Sequence, residues 1–296
     1  MAYTIEIVDV TKKNVEDELR ALFKEGFGRE EMPEEGYLVR NINSKASMPS
    51  FFVVAIEDGA FIGANGFIAY DFYFNGKKIT GFESCWSATH PKHQGRKIFV
   101  SIQNFAKEYL KEKGAGFIFG MANDNSHPIF IKKLGFTEVP AMTIKIPNIP
   151  LVKNLFFNKS SVLSAGQITH RSLITNEEQV IALKQQEKRE VIEIIKVNES
   201  FGWGKIRKHK KFGITFTYFY LGGISLKDPA DYKKIIKKIL SSYRIAYVLL
   251  VSSASSNINP LLNRWKKARM NGFIYFDLNA GAFEHTNMMM GIIDVF

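Results

Sequence analysis

Apolar and polar positions alternate in two rhythms along this chain, and together they predict an α/β (α+β) fold. Tyr3–Val8 reads as a strand, and behind it Val15, Leu19, Leu22 and Phe23 recur on one helical face. Phe51–Glu57, the pair Asp58-Gly59 and Phe61–Phe74 predict a hairpin, because Asp-Gly suits the positive φ angles of short hairpin loops. Asn75-Gly76 marks a second turn, and a strand over about Ile79–Ala88 follows. After a basic loop, Ile98, Ile102, Phe105, Ala106, Tyr109 and Leu110 share a helical face that Gly114 closes. A strand over Phe117–Ala122, a short helix Pro128–Leu134 and a strand from Phe136 complete the first half.

Pro147 and Pro150 break regular structure and mark a seam. The apolar stretch at Leu155, Phe156 and Phe157 is too short to span a bilayer and is expected to pack on a domain. Beyond the seam, the pattern predicts a strand near Gln167–Leu173, a helix near Glu177–Arg189 and a β-rich, aromatic Phe212–Leu221. Asp228-Pro229 reads as a cap and first position of a helix. That helix carries Tyr232, Ile235, Ile236, Ile239, Leu240 and Tyr243 on one stripe and Lys233, Lys234, Lys237 and Lys238 on the other. A strand over Tyr247–Val251, a helix from Pro260 to Gly272 and a strand over Phe273–Leu278 follow. The order strand, Asn-x-x-Pro, helix, Gly-Phe, strand occurs at Asn125–Phe136 and again at Asn257–Phe273, which predicts a duplication. The expected domains are 1–147, a linker over 148–165, and 166–296.

Composition narrows the classes. Hydrophobic residues are 46% and charged residues 23% of 296, which excludes a disordered or collagen-like chain. The one cysteine, Cys85, excludes a disulfide scaffold and a Cys-rich zinc site, and no metal is expected. No apolar run reaches the ~18 residues of a membrane span, and the N-terminus lacks a signal-peptide pattern; a cytoplasmic protein is expected. Residues 1–147 hold 18 basic and 18 acidic side chains, whereas 148–296 hold 22 and 11, so the whole net charge of +11 lies in the second half. Such asymmetry suits an anionic partner. Lys205–Lys211 (KIRKHKK) is the densest basic run. A nucleotide-sugar, a polyprenyl-phosphate glycan, an acyl carrier protein or RNA would suit it, and so would a solvated hairpin turn.

The segment with most chemistry is His90–Phe99, HPKHQGRKIF. A strand ends, a basic loop turns at Gly95, and an amphipathic helix starts. Unpaired amides at a helix N-terminus favour an anion such as pyrophosphate, and Gly95 lets the backbone approach it. Lys92, Arg96 and Lys97 add positive charge. Glu83, on an otherwise apolar strand, is a candidate general base whose burial would raise its pKa. Cys85 is a candidate nucleophile or an inert buried thiol, and His90 and His93 flank the loop.

TGFESCWSATHPKHQGRKIFVSIQNFAKEYL resembles the acyl-CoA-binding motif of the GNAT superfamily of N-acyltransferases, and FGMANDNSHPIFIKKLGF resembles the strand, helix and Gly-Phe that follow it there. The Thr89-His90-Pro91 lead-in is similar to a subgroup found in bacterial surface-polysaccharide gene clusters. The resemblance covers roughly residues 50–147. It implies a mixed, mostly antiparallel sheet flanked by helices, two such units in tandem, the second degenerate and serving the acceptor. It implies acetyl-CoA as co-substrate, its pyrophosphate held by Lys92, His93, Gln94, Gly95, Arg96 and Lys97. Ser87, Ala88 and Thr89 would contact pantetheine and the thioester, and Asn123 and Asn125 would face CoA. The chain departs from the family's pattern at Lys92, Lys97 and Ile131; a tyrosine that protonates the leaving thiolate is usual at the last position. Ser126 or His127 is then the candidate acid. The implied activity is acetyl transfer to a primary amine by direct attack, with an amino sugar or nucleotide-linked amino sugar as acceptor and nucleic acid not expected. An aminoacyl-tRNA-dependent peptidyltransferase and a non-catalytic acyl-CoA or nucleic-acid binding module remain open.

Overall fold

The computed structural model describes residues 3–28, 32, 34–42, 46–74, 77–148, 174–175, 192–226, 228, 230–253, 266–268 and 272–279. They form two compact units, each built on its own sheet. The expected strand at 167–173, the helix at 177–189, the linker and the start of the helix at Pro260 lie outside the described residues, as do the 75–76 turn and the 155–157 stretch.

The first sheet takes β1 (Thr4–Val8), β2 (Phe51–Glu57), β3 (Ala60–Phe74), β4 (Lys77–Thr89) and β5 (Phe117–Met121) in sequence order. β1 to β4 are antiparallel neighbours and β5 runs parallel to β4. Beyond β5 stands β14 (Phe273–Asp277), then β6 (Thr137–Val139), and β8 (Ile174–Thr175) pairs with β3. Helix α1 (Lys13–Phe27) buries Leu19, Leu22 and Phe23 as its spacing predicts, and the left-handed Gly28 ends it. Helix α2 (Tyr37–Ile42) carries no periodic signal long enough to predict it. Helix α3 (Ile98–Glu112) lies against β2, β3 and β4, and α4 (His127–Leu134) packs on α3. A Cβ on Gly63 would stand 2.5 Å from Ile98 Cγ2, so glycine there admits α3 to β3. The buried stripe of α3 differs from the expected one: Gln103 and Lys107 are buried, while Phe105 and Tyr109 are half-buried.

The second sheet has the order β13-β7-β12-β11-β10-β9. Its strands are β7 (Ala141–Pro147), β9 (Glu193–Val197), β10 (Ser200–Lys211), β11 (Ile214–Ser225), β12 (Tyr247–Ser253) and β13 (Lys266–Ala268). Helix α5 (Asp231–Ser242) buries Tyr232, Ile235, Ile236, Ile239 and Leu240 in that unit's core. It starts at Asp231, two residues after the expected Pro229. The helix expected through Gly272 is corrected at Lys266–Ala268, which are a strand paired with β7, where the ladder along β7 overrides the local helix propensity of Lys and Ala. KIRKHKK runs along β10 to its turn with β11. No helix among the described residues is long and apolar enough to cross a membrane.

Candidate active site

The site lies where β4 and β5 part. Their parallel ladder covers only Gly81↔Phe117, Phe82↔Ile118 and Glu83↔Phe119, while β4 continues to Thr89. On the other side of β4 the register with β3 slips, so that Trp86 and Ser87 stand opposite Asn65 alone. Trp86 adopts a φ of 50° at this bulge. Its ring packs 5.4 Å from Phe23, 6.1 Å from Phe27 and 5.5 Å from Tyr37, and these contacts compensate a backbone angle that bulky residues avoid. A bulge redirects a strand, and here it comes just past the last β4–β5 pair.

A polar network gathers on β4 beside the fork. Asn65 Nδ2 donates to the Gly66 carbonyl at 2.8 Å and to Ser84 Oγ at 3.2 Å, and Ser87 Oγ donates to Asn65 Oδ1. Gln103 Nε2 donates to Ser84 Oγ at 2.9 Å. Asn65 and Gln103 are fully buried, and Gln103 Oε1 has no hydrogen-bond partner, a state that costs about 1–3 kcal/mol. Sequence reasoning passed over these residues. The available signal was an asparagine inside the apolar run of β3 and a glutamine beside an apolar helical stripe.

Glu83 occupies the last ladder position and is 1% exposed; the Tyr70 hydroxyl donates to its Oε2 at 3.2 Å. Cys85 is half-buried. Ser87, Ala88 and Thr89 form the part of β4 beyond the ladder.

The loop after β4 is a 3-10 turn, Pro91–His93, capped by His90, whose Nδ1 accepts from the Lys92 amide at 3.3 Å. Gly95 has a φ of 79°, and a Cβ there would meet nothing within 4 Å. Lys97 caps α3 at φ 61° and ψ 17°, a conformation that costs a lysine about 1–2 kcal/mol. No side chain caps α3, and its first turn holds no acid. Lys92, Gln94 and Lys97 are exposed around it. Arg96 has other work: its two terminal nitrogens donate to Glu57 Oε2 and Oε1, each at 2.7 Å, which draws the Glu57 pKa down. Arg96 Nη1 also lies 2.8 Å from His93 Nδ1, and since arginine only donates, that nitrogen accepts. Arg96 and His93 thus tie the loop to the end of β2.

After β5, Asn123 organises the start of α4. Its Oδ1 accepts from the amides of Asn125 and Ser126 at 3.1 and 2.9 Å and from Ser126 Oγ at 3.0 Å. His127 Nε2 lies 3.1 Å from Glu138 Oε2. Among the described residues, no three His, Cys, Asp or Glu side chains gather as a metal site would require.

Comparison with known proteins agrees with this geometry. Residues 7–139 match the acetyltransferase (GNAT) domain family. No curated protein matches the chain in sequence. A conserved protein of unknown function from Enterococcus faecalis superposes with a TM-score of 0.64 at 11% identity, over 96% of this chain and 74% of that one. A GCN5-related N-acetyltransferase from Kribbella flavida gives 0.60 at 11% identity, over 92% and 71%. One from Anabaena variabilis gives 0.60 at 10%, over 93% and 73%. These likenesses are of fold, and they extend across both sheets. The family match, the parted strands and the uncapped helix agree in likening residues 7–139 of this chain to a GNAT acetyltransferase domain.

Proposed function

We propose that the first unit binds acetyl-CoA in the β4–β5 fork and transfers its acetyl group to a primary amine by direct attack. The observation that carries this is the coincidence, at one end of β4, of a ladder that stops at Glu83 and an uncapped helix N-terminus among lysines. The amides of Gly95 to Lys97 and the first turn of α3 meet the pyrophosphate, with Lys92 and Lys97 beside them. β4 from Ser87 to Thr89 offers its edge to the pantetheine, as an added strand would use it. The co-substrate supplies an activated thioester.

Glu83 takes the proton from the attacking ammonium, with Tyr70 holding its carboxylate in place. Amides at the bulge of β4 meet the oxyanion that develops on the carbonyl. Ser126, beyond the C-terminal end of β5, returns a proton to the leaving sulfur. The acceptor is an amine, with amino sugars first in a trial panel.

Calorimetric titration with acetyl-CoA tests the binding half, and thiol release over an amine panel tests the transfer half. Micromolar binding that Gly95→Glu weakens by on the order of thirtyfold is the expected result. Binding that persists unchanged in Gly95→Glu places the ligand elsewhere and ends this assignment. Binding without thiol release from any amine leaves an acyl-CoA binding module.

A further inference from the structure

The hairpin of β10 and β11 ends in a two-residue turn, Phe212-Gly213, with φ of 52° and 76°. Positive φ at both central positions is the type I′ geometry, which asparagine or aspartate before glycine suits best. A phenylalanine there sits in a region that bulky side chains avoid, and it is 91% exposed. Neither the turn nor a core gains from it. Ile214, next to the turn, is 60% exposed. Phe212 and Ile214 are two of the five large apolar side chains exposed among the described residues, and they sit together at the tip.

The tip is also basic. Lys208, His209, Lys210 and Lys211 are exposed, and Lys211 Nζ lies 5.2 Å over the Phe212 ring. No acidic residue occurs between Lys205 and Thr217. An apolar point within a cationic collar has a specific physical complement, a surface that is negative outside and greasy beneath.

We propose that this hairpin docks the protein on an anionic lipid bilayer. Phe212 and Ile214 enter the zone between headgroups and acyl chains, where aromatic side chains collect. The lysines stay at headgroup level and lay their methylene stems along the apolar tip. A nucleic acid fits less well, because Ile214, beside Phe212, offers no flat ring for a second base to stack on. This docking is independent of the acetyl-transfer assignment.

The test is co-sedimentation of the full chain with vesicles of phosphatidylcholine alone and of phosphatidylcholine mixed with phosphatidylglycerol. Binding is expected to the mixed vesicles only, and added salt weakens it. Phe212→Asn supplies the residue that the turn prefers, so the fold is kept, which a thermal melt confirms, while partitioning falls about tenfold. Lys208→Gln and Lys210→Gln each lower it about fivefold. Equal binding to neutral vesicles, no binding, or a Phe212→Asn variant that partitions like the parent overturns the proposal. Preference for single-stranded RNA over the mixed vesicles at equal phosphate also overturns it.

Discussion

The two sheets put a bulged strand, a loop and a helix in the same topological place and equip them oppositely. In the first, β4 bulges at Trp86 and Ser87, its ladder with β5 ends at Glu83, and α3 starts without a cap or an acid. In the second, β11 bulges at Gly222, its ladder with β12 ends at Leu221, and α5 starts on a buried acid, Asp231. Lys234, Ser200 and Asn198 all bond the Asp231 carboxylate and lower its pKa, with Lys234 contributing most. Asp228 Oδ1 also accepts from the Ala230 amide at 2.9 Å. A helix N-terminus attracts one anion well. Neither helix has a side-chain cap, but the first turn of α5 carries the protein's own acid and that of α3 carries none. Shared architecture therefore does not imply shared chemistry.

The largest expected effect concerns the ladder ends. Glu83→Gln should lower the rate constant of acetyl transfer by about 10²–10⁴-fold while acetyl-CoA binding is kept; steady-state kinetics beside calorimetry separates the two. Leu221→Gln in the other sheet should cost stability and leave the chemistry of the folded fraction alone. The next effect compares the helix starts. Gly95→Glu should weaken acetyl-CoA by on the order of thirtyfold, from a helix-terminus charge effect near 2 kcal/mol. Ala230→Glu at α5 should leave its affinity unchanged, and equal losses in both would remove the distinction between the units.

A smaller effect is expected at Lys97. Lys97→Gly relieves a left-handed backbone, so the thermal midpoint should rise, while acetyl-CoA affinity should fall about two- to fivefold with the lost charge. A gain in affinity would mean that the lysine crowds the phosphates.

A separate effect, on stability rather than affinity, is a pH dependence confined to the first unit. Lys107 on α3 is buried, donates to the Leu134 carbonyl and lies 4.0 Å over the Phe276 ring. Burial pulls its pKa down from 10.5 to about 8. The unfolded chain therefore binds this proton more readily than the folded one between those values. Stability should rise as pH rises from about 8 to 10.5. Urea midpoints across that range should show the slope, and Lys107→Leu should flatten it.

Much of this was legible in the residues. The stripes of α1 and α5 and the Asp-Gly hairpin of β2 and β3 follow from spacing and turn chemistry alone. So does the glycine of the 90–97 loop, since a positive φ ahead of a helix asks for it. Other parts were not legible. Arg96 reads as a free charge beside a phosphate site, and only the fold brings Glu57, 39 residues earlier, against it. Asn65 and Gln103 meet at Ser84 from two separate elements. Lys266–Ala268 favours helix locally, and pairing with β7 overrides that preference.

By itself the chain determined most of its longer elements, its basic second half and the loop that opens α3, because propensity, periodicity and charge are properties of neighbours in sequence. The tertiary structure alone decided strand partners. It set β14 between β5 and β6 in one sheet and β7 between β13 and β12 in the other. A strand's alternation states which face is buried but not which distant strand it will join, since every backbone offers the same donors and acceptors along its edge.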